Sequence, residues 1–203
     1  MKTTFKKTIS VLLSLIMAFS VFNGGSIFAL AAGSELYYYY SADGEERFQF
    51  AEYCEVLTDE MTTLEGNETG KWFVTGYVSP KGFAGTPAIE HSLTVSGKVN
   101  LLLRDGYSVW VEGGIYVTAG STLTIYGHNT GKLICRATDN AAGIGGKDGA
   151  VGGNVVINSG YIEALGEDGA GIGGGYDEGS GFQSVTINGG IVRATGGAGG
   201  AGG

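Results

Sequence analysis

The chain predicts an all-β fold: a single-stranded parallel β-helix, or β-solenoid, with short strands, Gly-rich turns and an irregular N-terminal cap. Three observations lead there. Apolar runs of three to five residues, such as Leu93–Val95, Val109–Val111 and Leu123–Ile125, are each closed off by Gly, Asp, Asn or Ser. Within them the pattern alternates, so Leu93, Val95, Leu123 and Ile125 are expected inward and Thr94 and Thr124 outward. Beyond residue 140 the chain repeats itself: Gly143-Ile144-Gly145-Gly146 returns as Gly171-Ile172-Gly173-Gly174, and the segment from Asn154 to Ala164 returns as Ser184 to Ala194. A period near 30 residues with two short strands per unit cannot bury a face alone, and stacking gives the units a common core.

Each segment follows from its residues. Residues 1–31 read as a signal peptide for Sec export. Lys2, Lys6 and Lys7 precede an apolar stretch from Ile9 to Phe22, and Ala29-Leu30-Ala31 supplies small residues before the cleavage point. That stretch is shorter than the ~20 residues a spanning helix needs, and no later run reaches ~18, so no membrane insertion is expected after cleavage. Residues 32–70, acidic and without helical period, read as a leader and N-terminal cap that includes Tyr37-Tyr38-Tyr39-Tyr40. Residues 71–203 form the solenoid. In its repeats Val155, Ile157, Ile162 and Ala164 are expected to fill a narrow core, while Asn158-Ser159-Gly160 and Asn188-Gly189-Gly190 turn corners, since Asn and Gly tolerate positive φ. Gly196–Gly203 opens a further copy of the glycine segment, from which truncation of a longer protein is expected.

Charge and cysteine narrow the function. Of 12 Lys and Arg, three fall in the signal segment, leaving 9 basic and 20 acidic residues, a formal charge near −11. Such a surface argues against nucleic acid, which requires a basic footprint. Cys54 and Cys135 each lie among apolar residues and read as buried free thiols rather than as a disulfide framework.

The segment from Cys54 to Gly203 resembles the Gly-rich β-helical region, often labelled carbohydrate-binding, of large secreted surface proteins from Gram-positive, Clostridia-like gut bacteria. Lys71-Trp72-Phe73-Val74-Thr75-Gly76, Leu93 to Leu103, Leu123-Thr124-Ile125-Tyr126-Gly127 and the Gly-Ala-Gly-Ile-Gly-Gly stretch at Gly169–Gly174 carry the likeness. Ser79–Pro87 departs from it and reads as an exposed loop. The resemblance implies a right-handed helix and an extracellular or cell-wall-associated, adhesin-like role.

Motifs for chemistry are sparse. Gly169–Gly174 matches the dinucleotide fingerprint in letters but lacks the helix that would hold a pyrophosphate. Asp139, Asp148, Glu167, Asp168, Asp177 and Glu178 cluster near turns, which leaves room for Ca2+. Their spacing matches neither the twelve-residue calcium loop nor the nonapeptide array, so solvated turn acids are expected and no cofactor is assigned. His91 and His128 have no companion at metal-ligand spacing. Arg104, Arg136 and Arg193 read as scattered, which disfavours a β-helix polysaccharide lyase, and no catalytic residue is assigned. Sugar binding uses aromatic faces with polar flanks. Trp110, Tyr116, Tyr126 and Tyr161, at outward positions on nearby strands, are the candidate ligand-binding residues for an extracellular polysaccharide or a host or cell-wall glycan. Trp110 is the leading one. The expected role is therefore non-catalytic carbohydrate binding, with a structural stalk as the competing reading.

Overall fold

The computed structural model describes residues 35–40, 45–51, 53–75, 88–127, 130–177 and 181–197. The signal segment, the Ser79–Pro87 loop, His128, Glu178 and the Ala198–Gly203 end lie outside the described residues. All described elements are strands. An antiparallel hairpin, β1 (Glu35–Tyr40) and β2 (Glu46–Ala51), comes first. A partial coil follows with β3 (Glu55–Leu57) and β4 (Thr63–Glu65). The next coils are β5 (Lys71–Thr75), β6 (Ala88–Ile89) and β7 (Leu93–Ser96), then β8 (Lys98–Leu103), β9 (Ser108–Gly113) and β10 (Ile115–Val117). After them come β11 (Thr122–Gly127), β12 (Lys132–Ala137) and β13 (Ile144–Gly145), then β14 (Gly152–Ile157), β15 (Tyr161–Leu165) and β16 (Ile172–Gly173). Strands β17 (Phe182–Ile187) and β18 (Ile191–Thr195) complete the described chain.

These strands stack into three parallel sheets, giving a β-solenoid of roughly four turns. The first sheet holds β3, β5, β8, β11, β14 and β17; the second holds β6, β9, β12, β15 and β18; the third holds β4, β7, β10, β13 and β16. Coiling begins earlier than residue 71: Glu55 pairs with Phe73 and Leu64 with Val95, so the segment expected as a cap already supplies a strand each to the first and third sheets.

Alternation puts like on like. Phe73, Leu101, Ile125 and Ile157 are register partners along the first sheet, and Val109, Leu133 and Ile162 along the second. All seven belong to one buried cluster. Each ladder residue covers the one before it, which is how strands of two to six residues reach a common dry core. Polar groups drawn inside are satisfied. Thr75 Oγ1 accepts the Arg104 amide at 2.9 Å, Ser159 Oγ accepts the Gly127 amide at 2.9 Å, and Asn188 Nδ2 donates to Asn158 Oδ1 at 2.7 Å. Among the described residues no buried side-chain nitrogen or oxygen lacks a partner.

The corner after β14 shows why glycine is required. Gly160 has φ 105°, and a Cβ at Gly127 would overlap the Gly160 backbone one coil away. Gly190 repeats the positive φ at 93°. Two coils can approach this closely only where neither residue carries a side chain.

At the N-terminal end, Glu55 and Lys71 occupy inward register positions. They form an ion pair at 2.6 Å, and Lys71 Nζ lies 4.9 Å from the centre of the Phe73 ring. A polar pair thus lies over the end of the apolar column.

Candidate binding face

The outward rows of the second sheet bring two aromatic side chains, Trp110 and Tyr161, together with three cationic ones, Lys132, Arg136 and Arg193. Trp110, Ile134, Glu163 and Arg193 are register partners in one row. Ser108, Lys132, Tyr161 and Ile191 form the row on one side, and Glu112, Arg136, Leu165 and Thr195 the row on the other. The geometry follows from alternation, because Val109, Val111, Leu133, Cys135, Ile162 and Ala164 all turn inward and are buried. Trp110 and Tyr161 are half-buried, with part of each ring open to solvent. Ile134, between Trp110 and Glu163, points outward yet is only 6% exposed.

Both rings carry cations. The Arg136 guanidinium lies 4.9 Å from the Trp110 ring centre. Lys132 Nζ lies 4.1 Å and the Arg193 guanidinium 5.5 Å from the Tyr161 ring centre. Arg104 lies 5.7 Å from the Tyr107 ring centre at the turn that leads into β9. The Tyr161 hydroxyl donates to Glu163 Oε2 at 3.4 Å, which orients the ring. Along the solenoid axis Trp110 and Tyr161 are two coils apart, about 10 Å at the usual strand spacing. Among the described strands none packs across this face.

The four aromatic residues expected together are divided among three sheets. Trp110 and Tyr161 share the second sheet. Tyr126, on β11, lies on the outer side of the first sheet, its ring centre 5.1 Å from that of Trp72. There it borders a small apolar cluster of Ala51, Cys54, Val74 and Leu102, and the hairpin strand β1 lies against β11. Tyr116, on β10 of the third sheet, lines a pocket of about 60 Å³ with Ser92, Thr94, Asp139 and Lys147. That volume is far below the ~300 Å³ at which pockets for small ligands begin.

The arginines that read as scattered are not. Arg136 and Arg193 occupy the same face, and Arg104 sits at its border. Their kinship shows only when residues are assigned to coils, and the steps between coils vary. Lys98 pairs with Thr122, Thr122 with Asn154 and Asn154 with Ser184, steps of 24, 32 and 30 residues. A single repeat length therefore misplaces the earlier coils.

Other expected features are plain in the structure. Cys54 and Cys135 are buried free thiols. Full burial pushes the Cys135 thiol far above its ordinary range, so it stays protonated. Gly169–Gly174 contributes the two-residue strand β16 to the third sheet instead of opening a helix. The His91 ring nitrogens each face a carbonyl oxygen, of Ser92 and of Asp59, both at 3.1 Å. Among the described residues no three His, Cys, Asp or Glu side chains converge on a common point, and no described helix is long and apolar enough to cross a membrane. No family model, curated protein or solved structure matches the chain.

Proposed function

We propose that this chain is an exported, cell-surface carbohydrate-binding or adhesin-like module that works without catalysis and engages extracellular or cell-wall glycan through the outer face of the second sheet. One observation carries the reading: two partly open aromatic rings, Trp110 and Tyr161, stand on a face that no described strand covers. Sugar C–H groups stack on aromatic faces while polar neighbours take the hydroxyls, and Glu163, Lys132 and Arg136 stand beside the rings for that purpose. Parallel stacking also suits a polymer, because successive coils repeat the same rows along one axis. Export supports the reading through the basic and apolar segment at residues 2–22 and its small-residue cleavage pattern.

The test is a glycan-array screen of the mature chain beside Trp110→Ala. Loss of at least about tenfold in binding is expected, since a central aromatic anchor contributes on the order of 2 kcal/mol or more to an interface. Equal binding by both chains would remove Trp110 from the site. Absence of binding by both, with both folded, would favour a structural stalk. That second reading draws on the regular coil-on-coil ladders, which make a stiff rod whether or not a ligand is bound.

A further inference from the structure

We infer that the glycan is anionic, carrying carboxylate or sulfate groups that Arg136 and Arg193 receive. This inference rests on the glycan-binding reading of the second sheet. It begins with a conflict inside that face. Sugars stack on ring faces, yet Arg136 already lies over Trp110, and Lys132 and Arg193 lie over Tyr161. A neutral sugar that displaces these cations returns to them only neutral hydroxyl hydrogen bonds, weaker than a charge-assisted pair. An acidic sugar takes the ring and offers the displaced guanidinium a planar, bidentate partner. Both arginine side chains stand on exposed residues, so they are free to make that exchange.

The charge distribution agrees. The whole chain carries a formal −8, but the outward rows of β9, β12, β15 and β18 hold Lys132, Arg136 and Arg193 against Glu112 and Glu163. A protein with this net charge repels polyanions in general, so attachment to one has to come from a local face of the other sign. Arg136 and Arg193 are two coils apart, about 10 Å along the axis. They stand in adjacent outward rows, an arrangement that an extended chain carrying more than one acidic group can span.

The experiment measures binding of the mature full chain to matched polysaccharide pairs. These set carboxylated against methyl-esterified forms, and sulfated against desulfated forms, with neutral polysaccharides alongside. The acidic member of a pair is expected to bind about tenfold better at low salt, with the advantage shrinking as salt screens the contact. The R136Q/R193Q variant is expected to lose that preference, and R136K/R193K to retain only part of it because an ammonium cannot form the planar fork. Circular dichroism establishes that both variants fold. Equal binding of the acidic and neutral members, still lost in Trp110→Ala, would overturn this inference and leave the glycan-binding face standing. A preference for acid that survives in R136Q/R193Q would overturn the placement. Failure to bind any member of the panel would overturn both readings. The carboxylated and sulfated arms identify which anion is read.

Discussion

The outer faces of the first and second sheets are built by the same alternation and end up with different surroundings. On the first sheet one outward row, Lys98, Thr122, Asn154 and Ser184, is polar, and polar groups on this face bond to their neighbours. Asn154 Nδ2 donates to Gln183 Oε1 at 3.1 Å, Ser184 Oγ donates to Asn154 Oδ1 at 2.7 Å, and Asn100 Nδ2 donates to the Gly70 carbonyl at 3.3 Å. Its aromatic residues, Trp72 and Tyr126, pack against each other beside an apolar cluster, with the hairpin alongside. On the second sheet the rings face cations rather than other rings. An outward aromatic residue is thus structural on one side and available on the other. Period-two alternation separates inside from outside, but it is blind to which outside is covered.

The contrast can be broken or sharpened by substitution. The largest effect is expected where both faces depend on one residue. Leu101, buried between Phe73 and Ile125, supports the coils beneath both, so Leu101→Ala should cost about 3 kcal/mol in urea unfolding followed by circular dichroism. Little change there would mean that the coils do not share a cooperative core. Next, Tyr126→Ala should cost about 2 kcal/mol, through lost packing on Trp72, and leave glycan binding untouched. Trp110→Ala should do the reverse, costing at most about 1 kcal/mol while removing binding. If the two variants behaved alike in both assays, the division between a structural face and a binding face would fall.

The smallest effect at neutral pH concerns Cys135. Burial raises its folded pKa above the ordinary 9.0, so folding favours the protonated thiol. The contribution is complete below the unfolded value and declines as pH rises past about 9, where the unfolded chain gains charge that the folded chain refuses. Unfolding midpoints measured from pH 7 to 10.5 should fall more in the parent chain than in Cys135→Ala. An aromatic disulfide reagent at pH 8 should label Cys135 only after denaturation, and prompt labelling of the folded chain would contradict its burial.

Much of the interior was legible in the sequence. Leu93, Val95, Leu123, Ile125, Val155, Ile157, Ile162 and Ala164 face inward as their alternation requires. The corners at Asn158–Gly160 and Asn188–Gly190 turn as expected, with the positive φ carried by Gly160 and Gly190 and not by the asparagines. Less legible was which coil each earlier residue belongs to. Before residue 140 the pairing of Lys71 with Val99 and of Lys98 with Thr122 is held by strand contacts without any likeness of sequence. The start of coiling at Glu55 was hidden for the same reason. So was the meeting of Arg136 and Arg193 on one face, because two residues 57 positions apart share a row system only once the intervening coil is counted. The division of Trp110, Tyr116, Tyr126 and Tyr161 among three sheets also needed the corners to be located, and a corner there is set by backbone geometry as much as by residue type.

The uneven steps between coils have a consequence for how such a molecule can change. From Lys98 to Thr122 to Asn154 to Ser184 the connecting chain lengthens and shortens while the pairing stays in register. The lattice counts coils and ignores residues. Insertions at a corner therefore leave the columns of side chains aligned, and duplication of a coil lengthens every column by one member at a fixed spacing. Reach along a polymer and chemistry at each position are then separate variables, the first set by copy number and the second by single substitutions in an outward row.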